Sequence, residues 1–124
     1  MSLEKPKKLM EVLLRRTARG EIDWQESFTD VFQVSFKDNS VVISSRADER
    51  EETVTYAVSL LNSEGTVADR FTDEDLDKDE VGHAGGSWFR KIGELYAMAR
   101  RRARGADKVL DDILKEVDDD DIPL

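Results

Sequence analysis

His83 is the single histidine of the chain and the side chain whose ordinary pKa lies nearest neutrality, so acid–base catalysis would look first to it. Nucleophilic hydrolysis needs a Ser or Thr beside such a base and a third group to orient it. His83 stands instead in Gly82-His83-Ala84-Gly85-Gly86, a setting too pliable to hold reacting atoms within about an ångström, and it reads as a solvated loop residue. The same glycines lack the spacing and the trailing Lys-Ser/Thr of a phosphate cradle and follow no core strand, so nucleotide binding is not expected. Paired carboxylates for general acid and base work cannot be singled out among 28 acidic residues. The reading is of a protein that is not an enzyme, with no catalytic residues, no cofactor and no metal; an enzyme of unrecognised class is the third option.

Six acids fill the eight positions from Asp73 to Glu80, and alternate aspartates resemble the ligand ladder of a calcium loop. Counted from Asp73, however, the sixth position is Lys78 where the sharp turn needs glycine, and the twelfth is Ala84 where a bidentate Glu belongs. The expectation is a long, exposed acidic loop over Thr72 to Gly86.

The sharpest cationic feature is Arg100-Arg101-Arg102-Ala103-Arg104, with Arg90 and Lys91 upstream. Guanidinium forks suit phosphate and carboxylate alike. Three uses compete. The arginines answer the helix dipole and the chain's own acids, in the loop, at Asp111 and Asp112 and in the tail; or they meet a protein partner; or they grip nucleic-acid backbone, with Arg15, Arg16 and Arg19 completing one patch. Arg90, Arg100, Arg101, Arg102 and Arg104 are the candidate partner-binding residues. The reverse arrangement, an acidic surface imitating a phosphate backbone, would need carboxylates on rigid elements, and Asp48 to Glu52, Asp73 to Glu80 and Asp118 to Asp121 fall mostly in predicted loops.

Periodicity supplies the elements that must hold these groups. Leu9, Met10, Leu13, Leu14 and Thr17 share one arc of a predicted helix opposite Lys8, Arg15, Arg16 and Arg19. Pro6 belongs in its first turn, and Gly20 suits a left-handed cap. Trp24 lies in a polar connector, Glu21 to Asp30, and packs onto the core edge. Phe32, Val34 and Phe36 alternate along a strand, and Val41 with Ile43 along the next. A turn at Asp38-Asn39 would pair Phe36 with Val41, Val34 with Ile43 and Phe32 with Ser45. Val54, Tyr56, Val58 and Leu60 mark a third strand, Asn62-Ser63-Glu64-Gly65 a turn, and Thr66 to Phe71 a fourth strand at a sheet edge. Trp88, Ile92, Leu95, Tyr96, Ala99 and Ala103 then form a helical stripe behind Ser87 as N-cap. After Gly105, with Asp107 as cap, Val109, Leu110, Ile113, Leu114 and Val117 give a last helix its own apolar face.

The predicted fold is therefore α+β: an N-terminal helix, a four-stranded antiparallel meander and two C-terminal helices packed on one sheet face. Residues 1–117 form a single domain and 118–124 an acidic flexible tail. A chain of 124 residues can bury one core without staples. The absence of cysteine excludes disulfides and thiolate metal sites and favours a reducing, cytoplasmic setting. No apolar run approaches a membrane span or a signal segment, so no membrane is expected. The net charge of −9 is sorted along the chain: residues 1–19 carry six Lys/Arg against two acids and residues 87–105 six against one, while the stretches between and after them are acidic.

Several of these residues together resemble a loose group of small bacterial α+β proteins with no assigned activity. They are Leu13-Leu14 with Thr17, Gly20 and Trp24, Asn62-Ser63-Glu64-Gly65, Leu95-Tyr96 with Ala99-Arg100-Arg101, and Gly105-Ala106-Asp107-Lys108-Val109-Leu110-Asp111. The resemblance spans most of residues 9–117 and implies one intact domain without any chemistry. The functional expectation is a non-enzymatic protein-interaction or accessory domain that uses complementary charge on an unknown protein partner. A nucleic-acid-associated protein is the alternative, and an apolar remainder on the last helix or an unpaired sheet edge would support a homodimer.

Overall fold

The computed structural model describes residues 3–80 and 87–118. Five strands, β1 (Gln25–Phe28), β2 (Val31–Phe36), β3 (Asn39–Asp48), β4 (Thr53–Leu61) and β5 (Val67–Thr72), form one antiparallel sheet in the order β1-β2-β3-β4-β5. The helices are α1 (Glu4–Ala18), α2 (Asp73–Lys78), α3 (Ser87–Ala103) and α4 (Ala106–Val117). The class is α+β with an antiparallel meander, as the periodicity predicts, with one strand and one helix more than expected.

Both additions fall in stretches read as irregular. β1 occupies the connector Glu21 to Asp30, where all four of its side chains are exposed, so it carries no burial alternation. It is a strand because its backbone pairs with β2, Gln25 opposite Gln33 and Phe28 opposite Val31. α2 occupies the first part of the expected acidic loop. The rest of that loop, with His83, Gly82, Gly85 and Gly86, lies outside the described residues, as do residues 119–124 of the expected tail.

The β2–β3 hairpin turns one residue earlier than expected. Lys37 and Asp38 form the turn, Lys37 with φ of 55°, so Phe36 faces Asn39, Val34 faces Val41 and Phe32 faces Ile43. The correction shifts every pair by two positions. Because side chains alternate with a period of two, the same side chains face the core side, although Phe36, at the hairpin end, is 41 % exposed. Phe32, Val34, Val41, Ile43, Val58 and Phe71 are buried in the core, while Gln33, Ser35, Ser40, Val42, Ser44 and Ser59 on the other face are half-buried or exposed. β5 joins by setting Phe71 opposite Val58, with an irregularity at Leu60/Leu61.

α3 lies across β1 to β4 and buries Trp88, Ile92, Leu95, Tyr96 and Ala99, each large side chain contributing about 1.5–3 kcal/mol of transfer free energy. Gly93 lets it approach closely, since a Cβ there would stand 3.2 Å from the Tyr56 ring. α1 packs along α3 in the same direction, Glu11 meeting Lys91 at 2.6 Å and Met10 and Leu13 entering the core. Trp24 is buried beneath the end of α1, where its indole Nε1–H donates to Thr17 Oγ1 at 3.0 Å. That bond explains why a threonine sits on the apolar arc.

α4 departs from expectation. It does not pack on the sheet; its helical neighbour is α3, from which it turns away at Gly105, φ 66°. Gly105 itself is the N-cap, and Asp107 falls inside the first turn.

Candidate functional site

The arginines at the end of α3 are distributed among the chain's own carboxylates. Arg104 makes a fork on Glu26, Nε to Oε1 at 3.1 Å and Nη2 to Oε2 at 2.8 Å, and its Nη2 also reaches Asp30 Oδ1 at 2.9 Å. The same Glu26 accepts the Asp30 backbone N–H at 2.9 Å, and the Tyr96 hydroxyl donates to the Asp30 carbonyl at 2.8 Å. Asp30 has φ of 62°, so α3 clamps a strained β1–β2 turn from two sides. The Arg104 hydrogen bonds, followed by the Asp30 N–H, hold the Glu26 carboxyl down at about 2.

Arg102 stands 3.4 Å from Asp23 and Arg101 3.0 Å from Asp107, both pairs open to water and therefore weak. Arg101 and Arg102 line a small hollow of about 190 Å³ with Thr17, Ala18, Gly20 and Met98, which brings the C-terminal ends of α1 and α3 together. Arg100 is exposed and lends positive potential to Glu26. Arg90 is exposed ten residues earlier, about 15 Å along the helix axis, and does not join the other four. Three of the five candidates thus answer acids of this chain, on β1, its flanking residues and α4, and not the acidic run or Asp112.

The acidic run is a set of structural ligands. Thr72 and Asp75 form a reciprocal capping box at the start of α2. Asp73 is buried and accepts the Tyr56 backbone N–H at 2.7 Å; burial pushes its carboxyl above the usual carboxylate range. Asp77 accepts the Trp88 N–H at 2.9 Å, which satisfies one of the open donors at the start of α3. That is a duty the sequence reading assigns to Ser87, which is already helical. Glu80 accepts the Trp88 indole N–H at 3.0 Å, and Asp79 and Glu80 both hold Lys7 of α1, at 2.8 and 3.0 Å. Leu76, fully buried, anchors the turn. Among the described residues no three His, Cys, Asp or Glu side chains converge as a metal would require.

The larger hollows are open surface troughs. One of about 710 Å³ runs along β1 and β2 past Glu21, Asp23, Gln33 and Phe36, and one of about 800 Å³ crosses the far ends of β3 to β5 past Arg46, Arg50, Arg70 and Glu74. Trp24 is buried and lines neither, and Tyr56 packs between Phe89 and Tyr96 with tilted rings, centroids 5.5 Å from each.

The feature without an internal explanation is α4. Val109, Leu110, Ile113, Leu114 and Val117 lie on one stripe and are each 49–59 % exposed, while α4 buries no residue at all. A helix of a folded domain ordinarily turns such a stripe to the core. Other exposed apolar side chains, such as Phe28 and Val67, are single residues on edge strands and need no such account. The sequence shows the stripe plainly; what it could not show is that the core beneath α3 is already closed by α1 and α2.

Comparison with protein-family models, curated proteins and solved structures finds no match. Among the described residues no helix is long and apolar enough to cross a membrane.

Proposed function

We propose that this chain is a non-enzymatic protein-interaction domain, an accessory or regulatory partner whose docking element is α4. One observation carries the reading: five large apolar side chains stand half in water on a single helical stripe, on a helix held to the rest of the molecule through α3 and the Gly105 turn. Contiguous apolar surface of this kind marks interaction sites. A short amphipathic helix presented at i, i+4 and i+8 is a common form of such an anchor. The nucleic-acid alternative has less behind it, because Arg104 is filled by Glu26 and Asp30, and the weaker, water-exposed pairs of Arg101 with Asp107 and Arg102 with Asp23 lower the positive charge at that end of α3 further.

The test places a photoreactive side chain at position 114, on the stripe, or at position 108, on the opposite face, in the full chain expressed in its native host. A polypeptide cross-linked from 114 and not from 108, and lost when Val109, Ile113 and Val117 are all changed to Ser, is the expected result. Absence of any cross-linked polypeptide from 114 would overturn the reading.

A further inference from the structure

The rim of the α4 stripe names the chemistry of what covers it, given the docking role just proposed. At about 100° per residue, Ala106, Val109, Leu110, Ile113, Leu114 and Val117 centre on one direction. Asp107 and Asp118 then flank the stripe on one side, and Glu116, with Asp112 behind it, on the other. Lys108 and Lys115 point to the back. Both borders are acidic, and the only cations of the helix are on the face away from the stripe.

The charge is not evenly free along the helix. Asp107 is paired with Arg101 at 3.0 Å and Asp112 with Lys108 at 2.8 Å; among the described residues Asp111, set farther round the helix, makes no ion pair, and neither do Glu116 and Asp118 on the borders. These two stand at the C-terminal end, where the helix dipole favours cations and carboxylates are misplaced. The sequence continues there with Asp119-Asp120-Asp121. Within the described chain the arrangement is unfavourable; cations supplied from outside, opposite the last two turns, make it favourable.

We infer that α4 docks in an apolar groove of another protein whose rim carries Lys or Arg, with those cations opposite Glu116 and Asp118 and the N-terminal turn nearer a neutral part of the groove. A second copy through α4 fits poorly. Two such helices side by side set acid border against acid border in either direction, and like charges across an interface are costly. An anionic lipid surface fits poorly too, since helices that lie on membranes carry Lys and Arg along their borders.

The experiment uses the position-114 cross-linking chain in its native host, with the cross-linked peptide sequenced. Two variants are compared. Glu116→Lys with Asp118→Lys reverses the free rim and, by placing cations at the helix C-terminus, favours the helix itself; Lys108→Glu with Lys115→Glu alters the back. The expected result is a partner peptide with Lys or Arg bordering apolar residues, a cross-link reduced tenfold or more by rim reversal at unchanged or higher helicity, and little effect of the back-face pair. A cross-link to a second copy of this chain, a partner peptide without flanking cations, or a yield indifferent to rim reversal overturns the inference while leaving α4 as a docking element. No cross-link at all overturns both.

Discussion

Arg104 is the residue at which a surface-charge reading and a structural reading part company. As one of four arginines in five positions it suggests a patch for an external anion; in the fold it is the member whose guanidinium is filled by Glu26 and Asp30 and lies 5.7 Å from the Phe32 ring. A guanidinium presents its donors as a fixed fork, so two carboxylates on one hairpin leave it little to offer a partner. The consequence is a titration. With its carboxyl held at about 2 in the fold against an ordinary 4.5, Glu26 contributes stability that is fully present above the ordinary value and is lost as the pH falls through about 2. Following the Glu26 side-chain carboxyl by NMR should give a midpoint near 2, and Arg104→Gln should return it toward 4.5. A midpoint that ignores the substitution would mean that the clamp does not form in solution.

At the level of elements, what the sequence made legible was every helix and strand that buries a periodic apolar face. α1, α3 and β2 to β4 announce themselves because Met10, Leu13, Phe32, Val34, Ile43, Val58, Ile92 and Leu95 must repeat to reach one core, whereas β5, which buries Phe71 alone, is betrayed by the Asn62-Ser63-Glu64-Gly65 turn before it. β1 and α2 were illegible for the complementary reason. β1 buries nothing and exists through its ladder with β2, and α2 buries a single apolar side chain, Leu76, so neither has a period to detect. The Thr72-x-x-Asp75 spacing was the one local sign of α2. The β2–β3 turn misled because Asn39 is the residue that tolerates positive φ most readily, yet Lys37 takes it. α2 and the two residues after it are nonetheless a joint, since Asp79 and Glu80 hold Lys7 on α1 while Asp77 and Glu80 accept from Trp88 on α3. Asp77→Ala removes an acceptor from the first turn of α3 and should cost about 1 kcal/mol in a denaturant titration, the usual worth of an N-terminal cap. Asp77→Asn keeps an acceptor oxygen and should cost less. Equal losses for the two would assign the effect to charge and not to the bond with Trp88.

Across the whole molecule, the division between what is closed and what is open follows from how many elements share the core. Sheet, α1, α2 and α3 exclude water from Trp24, Phe32, Ile43, Leu76 and Ile92 together, so each of these depends on all the others. α4 stands outside that cooperation. A helix of twelve residues is marginal by itself in water, and α4 gains support from α3 without burying a residue of its own. Its opening should therefore cost far less than global unfolding. Two isoleucines separate the cases. Ile92→Ala empties a fully buried site and should cost about 2–5 kcal/mol, whereas Ile113→Ala, with half of its side chain already in water, should shift stability by no more than about 0.5 kcal/mol. Amide exchange should show the same boundary, with α3 protected to nearly the global stability and α4 exchanging orders of magnitude faster in the isolated chain, then slowing when its stripe is covered. Protection of α4 equal to that of α3 in the free protein would place the helix inside the cooperative unit and remove the reason to look for what covers it.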